Sequence, residues 1–304
     1  MPLVMLVFDG VRLLDMTGPL EVFDVAASLG VPYRVTVCSV NGLDVITSSG
    51  LRVGVECAVA EIGSIDTLLV PGSQGLVTSG PTAPLVETVR SLASRARRVG
   101  SVCAGSFVLG AAGLLDGRTA TTHWRYTAEL ARRFPTVTVD KEALYVRDGP
   151  VITSAGVAAG IDLALGLVEE DAGDEVAYEV ARDLVVLMRR MGKQPQLSAA
   201  ARTARPRREL IRMLCDEIVA DPAANHSGPS LAARACMSVR HLSRLFKDEV
   251  GCTPAAFVTR VRLEAATALI MSGEIASTAA KRSGLGSDET LRRTLRRQQV
   301  QRIP

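Results

Sequence analysis

The sequence predicts an α/β domain, in which helices sandwich a mainly parallel sheet, followed by a separate all-α domain. In the first two-thirds of the chain, short apolar runs alternate with segments of helical periodicity. Several of these runs are apolar throughout, which is typical of parallel strands buried on both faces. The last third has helical periodicity alone. The 304 residues, 47% hydrophobic and 22% charged, suffice for about two domains with their own cores and exclude a globally disordered chain.

The predicted elements of the first part follow one another in a regular order. Apolar runs that stop at Gly or Pro predict buried strands, and apolar positions three or four residues apart predict helices. The predicted strands are residues 3–8, 33–40, 51–59, 65–70, 99–102, 137–140, 143–147 and 151–154. The predicted helices are residues 20–29, 83–96, 104–114, 125–134, 157–169 and 175–191. The last of these is apolar enough to form either a dimer interface or part of the core.

Residues 192–208 interrupt this pattern. Their small, polar and proline residues (GKQPQLSAAARTARPRR) predict a linker. Beyond it every segment is helical in period, and the predicted helices are residues 209–220, 230–235, 239–250, 254–272, 277–283 and 288–299. We therefore expect a first domain over residues 1–191, a linker over 192–208 and a second domain over 209–304.

Charge is divided unevenly along the chain. Residues 1–190 carry 16 Lys and Arg against 22 Asp and Glu, a balance of −6, whereas residues 191–304 carry 19 against 10, a balance of +9. A basic last part indicates a polyanionic partner. The alternative is that this charge serves solubility alone.

Cysteine and histidine usage argues against a zinc site. No two of the six cysteines have CxxC spacing and the three histidines are scattered, so we expect neither a bound metal nor another cofactor. The N-terminus lacks the basic start of a signal peptide, and no apolar run reaches about 18 residues. These features predict a cytoplasmic protein that does not bind or cross a membrane and keeps its cysteines mostly reduced.

A short helix, a turn and a basic helix occur twice in the second domain. In each unit a small residue, Ala232 or Ala280, stands four residues before a turn residue, Cys236 or Gly284. This spacing suits the tight crossing of two short helices, in which the turn residue takes a positive φ.

Each of the two basic helices is predicted to have an apolar and a basic face. The first begins after the N-cap Ser238 and buries Leu242, Leu245, Phe246 and Val250, with Arg240, His241, Ser243, Arg244 and Lys247 exposed. The second buries Leu291 and Leu295 and exposes Arg292, Arg293, Arg296 and Arg297. One such helix is equally well explained as a solvated basic face, but two of them favour binding in the major groove of double-stranded DNA.

The second domain resembles the AraC/XylS-type DNA-binding domain. The stretch LAARACMSVRHLSRLFKDEVGCTPAAFVTRVRLEAATALI (231–270) is similar to the first helix-turn-helix and connecting helix of that family, and SGLGSDETLRRTLRR (283–297) to the second. The resemblance implies two recognition helices in successive major grooves, with contacts from Arg240, Ser243, Arg244, Lys247, Asp288, Glu289, Arg292 and Arg293. The sequence departs from the family at Cys236, where a Gly is usual, and after Arg297, where QQVQRIP stands in place of a Gly-x-x-Pro turn.

One cysteine of the first domain stands at a predicted strand-to-helix turn. Cys103 lies in the segment GSVCAG, between a predicted strand and a predicted helix. Such a turn exposes its central residue at the carboxyl edge of the sheet, near a helix N-terminus whose dipole favours a thiolate. The loop at residues 72–75 offers backbone N–H donors, and Asp15 and His123 are polar residues that could reach the same place. The alternative is an inert core cysteine.

The first domain resembles the class I glutamine amidotransferase-like superfamily, in its PfpI-type branch. The similar stretches are LLDMTGPLEVF (13–23), LLVPGSQG (68–75), SVCAGSFVLGAAGLLDGRTATTHW (101–124) and TSAGVAAGIDLALGLVEE (153–170). The resemblance implies a flavodoxin-like fold with Cys103 at the nucleophile position and Asp15 as its acidic partner. It implies a ligand site formed by Asp15, Gly72, Ser73, Cys103, Ala104 and His123, with residues 8–14 also lining the pocket.

The same segments bear on whether the first domain is an enzyme. The His-x-Glu that completes an amidotransferase triad does not occur in the sequence, which argues against glutaminase chemistry. The elbow, Asp15 and the Thr-His-Trp segment also resemble the isonitrile hydratase group.

The order of the two domains resembles that of a class of bacterial transcriptional regulators. This resemblance implies a regulator rather than an enzyme, with a first domain that binds a small-molecule effector and forms a homodimer. Two alternatives stay open: a Cys-dependent hydratase or hydrolase that carries a DNA-binding tail, and a regulator that senses oxidation at Cys103.

Overall fold

The chain folds into two compact units, Met1–Gln196 and Leu197–Pro304. The computed structural model describes residues 1–186, 190–203, 205–271 and 273–300, with the backbone alone for residues 298–300. None of the helices in this part of the chain is long and apolar enough to span a membrane.

The first unit contains strands and helices in alternation, as predicted. Its strands are β1 (Pro2–Val7), β2 (Arg34–Ser39), β3 (Val45–Ile46), β4 (Arg52–Val53), β5 (Cys57–Ala58), β6 (Thr67–Val70), β7 (Arg98–Val102), β8 (Thr119–Ala120), β9 (Thr138–Val139), β10 (Tyr145–Asp148) and β11 (Val151–Ser154). Its helices are α1 (Leu13–Ser28), α2 (Gln74–Thr78), α3 (Ala83–Ala93), α4 (Ser106–Ala111), α5 (Thr127–Arg133), α6 (Ala158–Ala172) and α7 (Asp174–Asp183). The short elements β3, β8 and α2 were not predicted, because two to five residues carry no clear periodicity.

The main sheet is mainly parallel, in agreement with the prediction. Within the described residues its strand order is β10-β11-β7-β6-β1-β2-β5. Neighbours pair in parallel except β10 and β11, which form an antiparallel pair at one edge. Because β2 follows β1 on one side of the sheet and β6 returns on the other, the strand order reverses at β1.

Two apolar layers cover the faces of this sheet. One contains residues of α3 and α4, with Leu85, Val89 and Phe107 against Leu68. The other contains residues of α1, α6 and α7, and it includes the fully buried Phe23 of α1. The fold is therefore the predicted sandwich, and its loops gather at the carboxyl and amino edges of the strands.

Helix α1 begins at Leu13, well before the predicted start at residue 20. The sequence Gly18-Pro19 predicts a helix break, since each residue disfavours a helix interior. Tertiary packing overrides this preference. A Cβ on Gly18 would lie 3.1 Å from Cγ1 of Ile161 on α6, so the glycine permits the close approach of the two helices.

The predicted strand over residues 51–59 is divided into β4 and β5. Between them, Glu56 pairs with Val37 of β2 as a strand residue would. Its backbone N–H donates to the Val37 carbonyl at 2.9 Å, and its side-chain Oε1 accepts the Val37 N–H at 2.9 Å. The side chain thus replaces the backbone acceptor that a continuous strand would supply.

Two predicted helices are shorter than their periodicity indicates. The segment 104–114 begins with a 3-10 turn at Cys103–Gly105 and is α-helical only over α4. The helix predicted at 175–191 ends at Asp183, and Val185 follows with a left-handed φ of 54°. Residues 187–189 of that prediction lie outside the described residues. The buried positions of α7 belong to the core, which fits the core interpretation of this helix.

An ion pair fixes the amino end of β7, the strand that leads to Cys103. Arg98 is 1% exposed; its Nε donates to Thr67 Oγ1 at 2.7 Å and its Nη1 to Asp171 Oδ1 at 3.1 Å. Burial alone would raise the pKa of Asp171, but the hydrogen bonds from Arg98 and Tyr33 hold that pKa below its usual range. The pair ties β6, β7 and α6 together at this edge.

The second unit is all-α in its described residues, with bounds within two residues of those predicted. Its helices are α8 (Glu209–Ala220), α9 (Gly228–Arg234), α10 (Val239–Val250), α11 (Pro254–Met271), α12 (Ala276–Arg282) and α13 (Asp288–Val300). Residue 272, the predicted end of α11, lies outside the described residues. The predicted apolar face of α10 is confirmed, because Leu242, Leu245, Phe246 and Val250 are all buried.

The two predicted turns have the backbone that their spacing requires. Cys236 follows α9 with a φ of 52°, and Gly284 follows α12 with a φ of 79°. A Cβ on Gly284 would lie 2.8 Å from the Pro222 carbonyl oxygen, so only glycine fits there. Cys236 is exposed. Its left-handed φ costs conformational free energy, because this backbone is unfavourable for any residue with a Cβ.

Cys236→Gly is expected to stabilise the second unit by about 1 kcal/mol. Relief of the left-handed strain gains about 1–2 kcal/mol, and the greater chain entropy of glycine removes about 0.5–1 kcal/mol of that. Hydrogen exchange of the buried α9 and α10 amides in the full chain measures the change. Ala235→Gly, one residue earlier at an ordinary φ of −82°, is the matched control and should destabilise the unit. Equal effects of both substitutions would contradict this explanation.

Candidate functional site

The candidate site lies at the carboxyl edge of the main sheet. Asp15 follows β1, Gly72 follows β6, Cys103 follows β7 and Val157 follows β11. In open α/β sheets, ligand sites form at this edge, next to the strand where the order reverses. Here that strand is β1, so the topology places the Asp15–Cys103 site, defined by these four residues and Gly156, at the expected position.

Asp15 is the central polar residue of the site. It is fully buried, at 0% exposure. Its Oδ1 accepts the backbone N–H of Val157 at 2.8 Å and its Oδ2 accepts that of Gly72 at 3.2 Å. The Cys103 thiol also forms a side-chain hydrogen bond with this carboxyl group. One carboxylate therefore joins α1, the loop after β6, the turn after β7 and the segment before α6.

Cys103 is held in a sharp turn that three glycines permit. Its φ is 56°, a left-handed value, and it is 4% exposed. A Cβ on Gly72 would lie 2.9 Å from the Cys103 Cβ, and a Cβ on Gly156 only 2.1 Å from it. A Cβ on Gly105 would lie 2.1 Å from the Val70 carbonyl oxygen. The predicted elbow is present, but its side chain points into a closed site.

Val157 contributes to the site at a conformational cost. Its φ of 50° and ψ of −114° are unfavourable for a β-branched residue. This backbone directs its N–H at Asp15, in the bond just described. Sequence reasoning missed the roles of Gly156 and Val157, although both lie in a stretch that resembles the PfpI-type branch. A Gly next to a β-branched residue at the end of a buried strand is the signal that was available.

The pKa values of the pair indicate a protonated thiol. Burial raises the pKa of Asp15, against hydrogen bonds from Val157 and Gly72 that lower it. Burial also raises the pKa of Cys103 to about 12, and the neighbouring Asp15 charge adds to the rise. The expectation that the helix dipole favours a thiolate at Cys103 is therefore wrong. Helix α4 begins only at Ser106, after the 3-10 turn, and desolvation outweighs the dipole.

His123 lies beside the site rather than in it. It is half-buried, and its Nδ1 accepts the backbone N–H of Arg125 at 3.3 Å. Burial, with the charges of Arg125 and Arg12, lowers its pKa. In the part of the chain that the structure describes, no hydrogen bond joins His123 to Cys103 or Asp15. The structure thus brings Asp15 and Cys103 together but does not assemble a Cys–His pair.

Arg12 belongs to residues 8–14, the segment predicted to line the ligand pocket, but it was not singled out as a site residue. Its backbone N–H donates to the Gly72 carbonyl at 2.8 Å, and its side chain is exposed. Its positive charge lowers the pKa of Asp15, Cys103 and His123 alike, so the guanidinium lies within electrostatic range of all three. No acidic side chain among the described residues forms an ion pair with it. Its position three residues before Asp15, at the start of a helix, was the available signal.

The loop after β6 uses the N–H groups that were predicted to face the site. The Gly72 N–H donates to Asp15, and the Gly75 N–H donates to the Ser73 hydroxyl at 3.2 Å. The Ala104 N–H forms a hydrogen bond with the Cys103 thiol, which lowers the pKa of that thiol. The predicted ligand residues Gly72, Ser73 and Ala104 are all buried. They form the buried base of the site, and two more accessible side chains, Arg12 and His123, lie beside it.

This arrangement places a buried thiol against a buried carboxylate. A thiol with a pKa near 12 supplies little thiolate at neutral pH, and its hydrogen-bonded partner is the Asp15 carboxylate; no histidine among the described residues is hydrogen-bonded to it. The described residues also contain no group of three or more His, Cys, Asp or Glu side chains placed to hold a metal ion.

The second candidate surface is the exposed face of α10. Its N-terminus is capped as predicted, because Ser238 Oγ accepts the His241 N–H at 3.2 Å. The helix ends at Gly251 in the left-handed conformation. The predicted contact residues on this helix are exposed or half-buried: Arg240, Ser243, Arg244 and Lys247. Their side chains are thus available to a partner.

The corresponding face of α13 is also exposed, with one correction to the prediction. The predicted contact residues are Asp288, Glu289, Arg292 and Arg293, and Arg292 forms an ion pair with Asp288 at 3.0 Å. Leu291 is 2% exposed, but Leu295 is 37% exposed, so its predicted burial is wrong. The small core beneath α13 includes Leu291 but not Leu295. The side chains after Arg297, where the sequence departs from the AraC/XylS pattern, lie outside the described residues.

Two family models match separate parts of the chain. The model of the DJ-1/PfpI family matches residues 1–170. A helix-turn-helix domain model matches residues 231–299. The first match covers the strands and helices that carry the Asp15–Cys103 site, and the second covers both basic helices.

Comparison with known proteins gives relatives of two kinds. An isonitrile hydratase of Pseudomonas putida is 35% identical over 230 residues, which cover 75% of this chain and 91% of that protein. The HTH-type transcriptional regulator CdhR of Pseudomonas aeruginosa is 35% identical over 184 residues, 60% of this chain and 54% of the regulator. The matched segment thus spans about half the length of the regulator.

A solved structure is similar to most of the chain. It is that of a THiJ/PfpI family protein from Pseudomonas syringae, with a TM-score of 0.56 and 27% sequence identity. The match covers 77% of this chain and 88% of that one.

Opposite changes in the reactivity of Cys103 are expected from two charge substitutions. Asp15→Asn removes a negative charge that raises the thiol pKa, so carbamidomethylation of Cys103 at pH 8 should accelerate several-fold. Arg12→Ala removes a positive charge that lowers this pKa, so the same reaction should slow. Mass spectrometry of the labelled peptide measures both rates.

Cys38 is the internal control for this experiment. It is buried in the same unit, and burial likewise raises its pKa to about 12. Its labelling rate should not change in either variant. Changes of the same sign at Cys103 in both variants would contradict the electrostatic account of the site.

Proposed function

The chain belongs to the DJ-1/PfpI family and carries an AraC-type helix-turn-helix domain, and we propose that it regulates transcription by binding a specific DNA sequence under the control of a small effector. The observation that carries this proposal is the pair of exposed basic helix faces, on α10 and α13. Each follows a short helix and a turn with a positive φ. Relatives named HTH-type transcriptional regulators support the same function.

The basic faces supply the two kinds of contact that DNA recognition needs. Exposed arginines of the first two turns, Arg240 and Arg244 on α10 and Arg293 on α13, can pair with guanine edges in the major groove. Lys247 lies one turn further along α10 and suits a phosphate. On α13 the ion pair between Arg292 and Asp288 orients a fourth guanidinium. The net charge of +9 over residues 191–304 adds a favourable term that is independent of sequence.

The effector is proposed to bind at the border of the Asp15–Cys103 site. Arg12 and His123 are the accessible groups there, above a buried base of Gly72, Ser73 and Ala104. The exposed guanidinium of Arg12 favours an effector with an anionic group. In this proposal Asp15 and Cys103 hold the base of the site together and do not react.

We also propose that the protein is a homodimer. Tyr178 of α7 is 61% exposed and Val185, just beyond it, is 80% exposed. Large apolar side chains at this level of exposure, on α7 and in the segment just after it, support a self-association surface. Sedimentation velocity of the full chain tests the proposal, and a monomer at micromolar concentration would contradict it.

An enzymatic role for the same site is the second candidate. The similarity to an isonitrile hydratase and the hydrogen-bonded Asp15–Cys103 pair favour it. Two observations weigh against it: the pKa of Cys103 is raised, and no hydrogen bond among the described residues joins His123 to the thiol. Turnover of an isonitrile by the full chain that is lost in Cys103→Ser would establish this role.

Arg240→Ala and Arg244→Ala are each expected to weaken specific DNA binding by about tenfold or more. A bidentate contact to a base contributes about 1–3 kcal/mol, and its loss should also relax the base preference at one position. Fluorescence anisotropy measures affinity for duplexes selected from a random-sequence pool. Arg34→Ala, which removes the same charge from an exposed position of the first unit, is the matched control and should bind normally. Unchanged affinity in both α10 variants would remove this helix from the DNA interface.

A further inference from the structure

The last residues of the first unit form a strap that is attached to the sheet edge. We define the strap as residues 190–196. Its Gly192 carbonyl accepts the Tyr145 N–H at 3.3 Å and its Gln194 carbonyl accepts the Leu144 N–H at 3.0 Å. Ala143 and Pro195 form an antiparallel bridge. The strap therefore lies along the start of β10 as an added edge segment, immediately before the chain enters the second unit at Leu197.

The side chain of Gln196 anchors the end of the strap. Its Nε2 lies 2.9 Å from the Thr122 carbonyl oxygen, 3.1 Å from the Ala143 carbonyl oxygen and 3.2 Å from Thr121 Oγ1. Its backbone N–H donates to the Glu142 carbonyl at 2.8 Å. This one amide group thus connects the strap to the segment that precedes His123.

A single residue, Thr122, connects Gln196 to the Cys103 turn through hydrogen bonds. Thr122, whose carbonyl accepts from Gln196, donates its own hydroxyl to the Cys103 carbonyl at 2.9 Å. Thr122 is fully buried. A displacement of either Cys103 or His123 therefore moves the Thr122 carbonyl, which is the nearest of the three acceptors of Gln196 Nε2.

The other end of the strap is attached to the same site through α6. Arg190 Nη2 donates to Asp162 Oδ2 at 2.6 Å, and its backbone N–H donates to Oδ1 at 3.0 Å. Asp162 belongs to the second turn of α6, and this helix begins directly after Val157. Val157 is the residue that donates to Asp15. Both ends of the strap thus contact elements that hold the Asp15–Cys103 site.

We propose that this strap transmits the state of the effector site to the DNA-binding unit. The proposal rests on the proposed function, in which the effector binds beside Arg12 and His123. An effector that shifts residues 122–123 weakens the Gln196 anchor, and the strap then leaves the edge of the first unit. Because Ala199 is already buried in the second unit, release of the strap lengthens the free connection between the two units from almost nothing to several residues. Gln196 is a positioning residue in this scheme.

The first test perturbs the site and observes the strap. Thr122→Val removes the hydroxyl that binds the Cys103 carbonyl but nearly keeps the volume of the side chain. The carbonyl retains a second donor, Ser106 Oγ at 3.2 Å, so the fold is not left with an unpaired acceptor. Hydrogen exchange in the full chain should accelerate about fivefold at the amides of Leu144, Tyr145 and Gln196. Thr122→Ser keeps the hydroxyl and should exchange like the unaltered protein.

The second test perturbs the strap and observes the site, as reciprocity of coupling requires. Gln196→Leu removes the donor and, with it, an Oε1 that is buried without a partner among the described residues. Carbamidomethylation of Cys103 should accelerate about fivefold, whereas that of Cys38, a buried thiol on β2, should not change. Faster labelling of both cysteines would indicate general loosening and would contradict specific coupling.

Either variant alone decides the matter. Unaltered exchange of the strap in folded Thr122→Val, or unaltered labelling of Cys103 in folded Gln196→Leu, overturns the proposal. Neither measurement uses DNA, so failure of the strap mechanism is distinguished from failure of DNA binding itself. If both expectations hold, the affinity of Gln196→Leu and Thr122→Val for selected DNA should change in the same direction.

Discussion

The first unit depends on one buried carboxylate. Asp15 has no exposure to solvent, and accepts hydrogen bonds from Gly72, Val157 and the Cys103 thiol. These partners follow three different strands, so the carboxylate fixes the carboxyl edge of the sheet from within. A charge at this depth is tolerated only because donors surround it. The glycines at 72 and 156 and the strained backbone of Val157 follow from the need to bring those donors close.

The same burial governs the thiol at the sheet edge. Cys103 is enclosed and hydrogen-bonded to a carboxylate, and burial raises its pKa to about 12. The accessible groups are Arg12 and His123 at the border. In the mechanism that we propose, the hydrogen bond from the Thr122 hydroxyl to the Cys103 carbonyl connects the occupancy of this border to Gln196.

Much of the fold was predictable because burial and periodicity agree along most segments. The six helices of the second unit were predicted from periodicity and the turn at Cys236 from spacing. The pairing of Asp15 with Cys103 was predicted from the family resemblance. The misses arose from tertiary effects that a local pattern does not contain. Packing against Ile161 carries α1 through Gly18-Pro19, and desolvation reverses the expected thiolate character of Cys103. The specific role of Arg12 and the roles of Val157 and Gln196 were not predicted, because they depend on partners distant in sequence.

Binding of the full chain to its own upstream DNA tests the central claim most directly. Fluorescence anisotropy at increasing salt would compare this DNA with a scrambled duplex, for the unaltered protein and for an Arg240→Ala/Arg293→Ala double variant. A sequence-specific regulator should prefer the upstream DNA, lose affinity steeply with salt and lose its preference in the double variant. Equal, weak binding to both duplexes, together with no enrichment from a random-sequence pool, would contradict the claim.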